Sequence, residues 1–220
     1  TPARIAIDPG PQLLCYFVFF NLTPEQTIPK EIRDRIMAVS NRSLCTRPFM
    51  DQVRRICCFH PAALVLREKD MDEADYESMA REVLKLCASY QVPCILHTFT
   101  EAAHILGADG IHLPLWKLRE AAEKKQLDGF TTIGVSVHAA NEALEAQSLG
   151  ATYLTAGHIY ATDCKKGLPP RGTAFLREIC QTVSIPVYAI GGIRLEAAQI
   201  REVMSCGAVG GCIMSGMMAL

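Results

Sequence analysis

The sequence predicts a single (β/α)8 TIM barrel preceded by an N-terminal extension. The chain contains eight short apolar runs of strand length, and helical text separates most of them. The second half also repeats one pattern, as in EAAHILGADGIHLP (101–114), where a helix ends at a glycine and an apolar strand follows at once. Strands that alternate with helices form parallel sheets. Eight strands favour a closed barrel over a doubly wound sheet, which usually has about five to seven.

The predicted strands begin at residue 35. They are RIMAVS (35–40), ALVLRE (63–68), PCILH (93–97), DGIHL (109–113), TIGVSV (132–137), TYLTA (152–156), PVYAIG (186–191) and GGCIMS (210–215). No linker divides this stretch, so the sequence predicts one TIM-barrel domain over residues 34–220. Residues 1–33 lie outside the strand count, and a capping helix, an edge strand and a poorly ordered extension all fit them.

Composition excludes several classes of partner. The 22 Lys and Arg residues nearly balance the 23 Asp and Glu residues, which argues against nucleic acid. The apolar run LLCYFVFF (13–20) is shorter than the roughly 18–20 residues that span a bilayer, and it lacks the flanks of a signal peptide. It is instead a candidate surface for a homodimer. The ten cysteines are scattered without CxxC spacing, so we expect free thiols and a cytoplasmic protein.

Ionisable residues are concentrated where the predicted strands end. In this fold the carboxyl ends of the strands form the mouth of the barrel, where active sites lie. Four of the six histidines fall at these ends, which predicts a functional role for at least one of them. The candidates at the strand ends are Arg67, Lys69, His97, His112, Ser136, His138, His158 and Lys165.

Two glycine-containing turns close the chain. Gly191 and Gly192 follow the seventh strand in AIGGI, and Ser215 and Gly216 follow the eighth in MSG. The loops after strands seven and eight of such barrels commonly bind phosphate through backbone N–H groups. A tight turn alone would also explain the paired glycines, but the second turn at the neighbouring strand favours phosphate. No metal-binding motif of the HExxH type and no P-loop or dinucleotide fingerprint is present.

Several segments together resemble the thiamine phosphate synthase/TenI superfamily. They are LREK, GADGIHL, GVSVH, GHIYATDCKKGLPPRG, AIGGI and MSG, and they run in the family's order from about residue 35 to residue 216. The resemblance implies a phosphate-binding TIM barrel that acts in thiamine biosynthesis.

The chain departs from the synthase branch of this family at the magnesium site. Synthases usually end the third strand in Asn-Asp, where this chain has His97 and Thr98. They continue the fourth strand into Gly-Gln and an acidic pair, where this chain reads LPLWKL (113–118). Trp116 thus replaces a polar residue, and packing or stacking would each explain it. The missing acids, together with His158 in place of proline, are similar to the TenI branch.

The resemblance therefore implies a thiazole tautomerase, an isomerase that aromatises a carboxylated dihydrothiazole ethyl phosphate without metal or organic cofactor. It assigns the proton transfer to His138. The phosphate would be held by Gly191, Gly192, Ser215 and Gly216, and the rest of the substrate by Arg67, Lys69, Ser136, His158 and Lys165. Two alternatives stay open. One is a thiamine phosphate synthase, which joins hydroxymethylpyrimidine diphosphate to thiazole phosphate and needs Mg²⁺. The other is a non-catalytic protein that binds thiazole or thiamine phosphates.

Overall fold

A computed structural model describes residues 28–220, apart from the side chain of Cys164. Eight parallel strands pair in sequence order, and β8 returns to β1 to close the barrel. The strands are β1 (Ile36–Val39), β2 (Ala63–Leu66), β3 (Cys94–His97), β4 (Gly110–Pro114), β5 (Thr132–Val137), β6 (Tyr153–Gly157), β7 (Val187–Ile190) and β8 (Gly210–Ile213).

In the described part of the chain, seven helices connect successive strands and form the outer layer, one helix precedes β1 and one follows β8. They are α1 (Lys30–Arg33), α2 (Phe49–Phe59), α3 (Glu73–Ser89), α4 (Thr100–Ile105), α5 (Leu115–Glu123), α6 (Ala140–Ser148), α7 (Gly172–Thr182), α8 (Ala197–Ser205) and α9 (Ser215–Met218). Short 3₁₀ turns cover Arg42–Leu44 after β1 and Asp163–Lys165 after β6.

Local sequence explains where several helices begin and end. The Asp72 side chain accepts a hydrogen bond from the N–H of Asp75, which caps the first turn of α3. Helix α2 ends at His60, whose φ of 60° is the left-handed conformation that stops a helix. These signals divide the chain into the β/α units that the barrel requires.

The core has two layers. The larger layer lies between the sheet and the helices and contains Leu64, Leu66 and Leu154 of the strands with Val53 and Val83 of α2 and α3. The smaller layer fills the barrel interior, where the side chains with little exposure are Met37, Val39, Ala63, Val65, Ile95, Tyr153 and Cys212. The barrel is therefore packed below its mouth and leaves open space only above.

The predicted TIM barrel is confirmed, with all eight strands in place and their ends shifted by a few residues at most. Residues 1–27 of the predicted extension, including the proposed dimer surface at 13–20, lie outside the described residues. Residues 28–33 include α1, whose Ile32 is buried in the core. The eight cysteines with described side chains are free thiols. Within residues 28–220, no helix is both long and apolar enough to cross a membrane.

Candidate active site

One cavity of about 920 Å³ lies at the carboxyl ends of the strands. The closed order of the sheet brings these ends together, so residues far apart in sequence share its wall. Of the ten residues to which the resemblance assigns a role, nine line it, namely Arg67, Lys69, Ser136, His138, His158, Lys165, Gly191, Gly192 and Ser215. Gly216 does not line the cavity. A β-carbon added to Gly216 would lie 3.1 Å from Ile213 Cγ2, so its small size serves packing behind the wall.

Four basic side chains of the described residues line this cavity. Arg194 follows β7 next to the glycine turn, and the other three form a basic cluster. Arg67 and Lys69 follow β2, and Lys165 comes from the segment after β6. Burial lowers the pKa of Lys69, and the positive charges of Arg67 and Lys165 lower it further. Lys69 is therefore close enough to Arg67 and to Lys165 for both to repel it, and an anion bound beside it would relieve that repulsion.

A buried carboxylate that the sequence analysis did not select holds the end of β2 in place. Glu68 is 2% exposed, and its oxygens accept hydrogen bonds from Ser40 Oγ at 2.6 Å and from the N–H of Arg42 at 2.9 Å. Ser40 Oγ in turn accepts the N–H of Arg67 at 2.8 Å. Burial raises the pKa of Glu68, whereas the hydrogen bonds from Ser40 and Arg42 lower it, and the effect of burial is the larger. This network ties the ends of β1 and β2 together and fixes the backbone from which Arg67 projects.

Two of the histidines predicted at the mouth are buried, and only one of the two lines the cavity. His97 is 7% exposed and lines the cavity, whereas His112 is 3% exposed and does not line it. Their rings stack with centroids 5.6 Å apart. Burial lowers the pKa of His97 well below its usual range, with His112, Arg67 and Lys69 adding to the effect. Burial also lowers the pKa of His112 to about 3, so both imidazoles are neutral at neutral pH.

The expected convergence of four histidines on the mouth is thus wrong for His112. Its Nδ1 lies 2.9 Å from Tyr153 Oη and its Nε2 lies 2.8 Å from Ser136 Oγ, inside the barrel. A side chain at Gly134 would collide with the rings of His112 and Tyr153, which explains why β5 contains a glycine at this position. Because Ser136 lines the cavity, this chain of hydrogen bonds reaches from the barrel interior to the ligand space.

His138 and His158 lie at the cavity as predicted. His138 keeps 49% of its side chain exposed, with Nδ1 3.6 Å from Glu142 Oε2. Burial lowers the pKa of His138, the Glu142 carboxylate raises it, and Arg171 and Lys165 lower it. His158 Nε2 lies 3.4 Å from the carbonyl oxygen of Leu168 within its own loop.

The paired glycines after β7 are required by the neighbouring loop. Gly191 and Gly192 have φ values of 91° and 69°, which other residues rarely adopt. A β-carbon on Gly191 would collide with the His158 side chain, and one on Gly192 would lie 2.5 Å from the carbonyl oxygen of Ala161. The glycines therefore seat the loop after β6 against β7 while their backbone lines the cavity.

Part of the cavity wall was not predicted from the sequence. Further lining residues are Thr98, Phe99, Pro114, Thr155, Tyr160, Arg194 and Gln199. Trp116, which the sequence left between packing and stacking, lines the cavity with 59% of its surface exposed. The position of aromatic residues next to the strand ends could have indicated a place in the cavity wall. An apolar residue type alone, however, does not show whether a side chain lies at the cavity rim or in the core.

The residues present do not fit a magnesium ion. Mg²⁺ prefers oxygen ligands and is usually bound through one or two carboxylates. Glu68 and Asp163 are the acidic residues among those that line the cavity, and Glu68 already accepts hydrogen bonds from Ser40 and Arg42. Over residues 28–220 no group of three or more His, Cys, Asp or Glu side chains could hold a metal ion.

An eight-stranded barrel with basic side chains and glycine turns at its mouth has the arrangement that is common in phosphate-binding TIM barrels. Comparison with known proteins makes the assignment specific. The family model described as thiamine monophosphate synthase matches residues 36–217. Thiamine-phosphate synthase 2 of Streptococcus pneumoniae is 32% identical over 185 residues, which cover 84% of this chain and 87% of that protein.

Other relatives agree. Thiamine-phosphate synthase of Chlorobium phaeovibrioides is 39% identical over 153 residues, covering 69% of this chain and 72% of that one. The solved structure of thiamine phosphate pyrophosphorylase from Pyrococcus furiosus is 27% identical with a TM-score of 0.72, covering 87% of this chain and 91% of that one. The chain belongs to the thiamine monophosphate synthase/TenI family.

These relatives overturn the expected activity. The prediction of a thiazole tautomerase, and hence of an isomerase, is wrong, because the relatives at 32–39% identity are named thiamine-phosphate synthases, which are transferases. The missing acidic residues and His158 in place of proline had favoured the tautomerase branch, but these departures weighed less than similarity along the whole barrel. The role of His138, and the ligand contacts predicted for the other site residues, stay predictions.

Proposed function

We propose that this protein is a thiamine-phosphate synthase that joins hydroxymethylpyrimidine diphosphate to thiazole phosphate. One observation carries the proposal beyond family membership: a single cavity of about 920 Å³ has a basic cluster on one part of its wall and the glycine turn with Ser215 on another. Two phosphorylated substrates need two anion-binding regions that face one space. The volume lies near the upper end of the roughly 300–1,000 Å³ typical of ligand sites, as two substrates require.

The reaction is a displacement at the methylene carbon of the pyrimidine. The bond from this carbon to the diphosphate oxygen breaks, and pyrophosphate leaves with the electron pair. The thiazole nitrogen supplies its lone pair to the new carbon–nitrogen bond, and the ring becomes a thiazolium. Negative charge grows on the leaving group, so catalysis calls for positive charges that are already in place around it.

Arg67, Lys69 and Lys165 meet this need. They surround an anion with charges from two sides of the mouth, and the Glu68 network fixes the Arg67 backbone beforehand. Arginine offers paired N–H donors to phosphate oxygens, while lysine acts as a point charge. The backbone at Gly191 and the Ser215 hydroxyl take the phosphate of the thiazole. The neutral imidazole of His97 adds a polar contact without adding charge.

The test incubates purified full-length protein with both substrates and measures thiamine phosphate and pyrophosphate, with added Mg²⁺ and with EDTA. Formation of both products supports the proposal. Arg67→Met should then lower the rate more than Arg54→Met, a change to a half-buried arginine of α2 that pairs with Asp51 and does not line the cavity. Absence of product under both conditions, with each substrate bound, would refute it.

The residues of the cavity do not suit Mg²⁺, and this observation favours a second function. The same cavity without turnover would make the chain a binding protein for thiazole or thiamine phosphates, and the lack of a carboxylate set suited to Mg²⁺ supports this reading. Calorimetry with thiamine phosphate separates the two functions. Tight binding without product formation selects the binding protein, whereas catalytic turnover selects the synthase.

A further inference from the structure

Trp116 is the largest side chain that the barrel leaves exposed beside the cavity. It is the second residue of α5 and lies off the buried stripe of that helix, which contains Leu115, Leu118 and Ala121. It keeps 59% of its surface exposed while it lines the cavity. An indole that serves packing would be covered by the chain, so the described residues leave this surface available to a ligand.

Neighbouring charges hold the indole without covering its cavity side. The Lys117 ammonium lies 5.5 Å from the ring centroid and is itself held by Glu120 Oε2 at 3.2 Å. Trp116 lines the cavity and Lys117 does not, so the ammonium does not separate the ring from the cavity. A ring restrained in this way loses little freedom when a second ring stacks on it.

The position of α5 indicates which substrate ring would meet Trp116. Strand β4, which precedes it, lies opposite β8 in the closed order of eight strands. Ser215 and Gly191, the proposed contacts of the thiazole phosphate, follow β8 and β7 on the far side. Arg67 and Lys69 follow β2, two strands from β4, so a ring attached to a diphosphate at these residues lies on the Trp116 side.

We infer that Trp116 is a specificity-determining residue that stacks on the pyrimidine ring of the diphosphate substrate. This inference rests on the proposed function, because the pyrimidine comes from it. Stacking of a heterocycle on an aromatic side chain is worth about 1–3 kcal/mol by alanine substitution, which is about a 5- to 150-fold change in affinity. The residue therefore adds recognition of the ring to the charge recognition of the diphosphate.

The experiment uses the fact that Trp116 is the single tryptophan of the chain. Its fluorescence is followed while the intact protein is titrated with hydroxymethylpyrimidine diphosphate or with inorganic pyrophosphate, which has no ring. Calorimetry measures both affinities independently. We expect the pyrimidine compound to change the emission and pyrophosphate to leave it nearly unchanged.

Variants separate stacking from a structural role. Trp116→Ala should weaken pyrimidine diphosphate by about 5- to 150-fold and change pyrophosphate affinity by less than about twofold. Trp116→Phe should retain part of the affinity, because it keeps an aromatic face. Leu144→Ala, at a 51% exposed residue of α6 that does not line the cavity, should change neither affinity.

Two outcomes distinguish this inference from the proposed function. An equal loss for both ligands, or no loss for either, overturns the stacking role even if the protein forms thiamine phosphate. A ring-selective loss without any product keeps the stacking role and overturns the synthase function.

Discussion

The buried imidazole of His112 should make the protein sensitive to acid. Its pKa is about 3 in the folded protein against an ordinary value of 6.5. Because the folded value is the lower one, the stability linked to this group is complete above about pH 6.5 and is lost as pH falls toward 3. At pH 5 the loss is about 2 kcal/mol, since the unfolded pKa lies about 1.5 units above that pH and each unit is worth about 1.4 kcal/mol.

The assay is urea unfolding of the wild type and of His112→Gln at about pH 7.5 and about pH 5. The variant keeps a polar side chain between Tyr153 and Ser136 but cannot gain a proton. We expect its free energy of unfolding to fall by about 2 kcal/mol less than that of the wild type between the two conditions. Comparing the change with pH removes any fixed cost of the substitution itself.

A matched control is His60→Asn. His60 is exposed and ends α2 in the left-handed conformation, which asparagine tolerates. This variant should lose as much stability as the wild type between the two pH values. If His112→Gln also loses as much as the wild type, His112 is not a buried neutral imidazole and the hydrogen-bonded chain to Ser136 is misassigned.

Three further predictions concern the mouth. Gly191→Ala should lower stability by about 1–3 kcal/mol in thermal unfolding, because its φ of 91° and the contact with His158 both oppose a β-carbon, and an unchanged melting temperature would contradict this. Glu68→Gln should weaken pyrophosphate binding by about 3- to 10-fold in calorimetry, since the amide is a poorer acceptor for Ser40 Oγ and loosens Arg67, whereas Glu77→Gln on the surface of α3 should have no effect. EDTA should leave the affinity for pyrophosphate within about twofold, because the cavity lacks a suitable set of carboxylates, and a larger drop would show that a metal takes part.

Local patterns were enough to predict the barrel, since each strand and helix is encoded by its own apolar period. They also place most of the predicted site residues at one mouth, because parallel strands of a closed sheet share that edge. His112 shows where such reasoning fails. The prediction that β4 ends at residue 113 set His112 near the rim, but the strand continues to Pro114 and leaves its imidazole inside the barrel. A shift of this size cannot be seen without the register between β4 and β5.

Glu68 and Trp116 were harder to assign for a different reason. Nothing in the basic segment around Glu68 indicates that its carboxylate is buried. The contacts with Ser40 and Arg42, from the loop after another strand, show that it is. Whether Trp116 faces outward depends on how α5 sits on the sheet, which its sequence does not specify alone. Both cases depend on contacts between distant parts of the chain.

The missing carboxylates and the retained cations together bear on what the site can do. A divalent ion bound by two carboxylates adds no net charge to a cavity. A cavity that lacks the ion and both carboxylates therefore has the same net charge as one that contains them. Under the proposed function, the positive charges of Arg67, Lys69 and Lys165 would hold the diphosphate. Such a cavity lacks a metal ion bonded directly to the oxygens of the leaving group. The charge of such an ion stabilises the transition state, where negative charge develops on these oxygens, more than it stabilises the bound substrate. Binding should thus be preserved more fully than rate, and the ratio of the two is the quantity that separates a synthase from a binding protein.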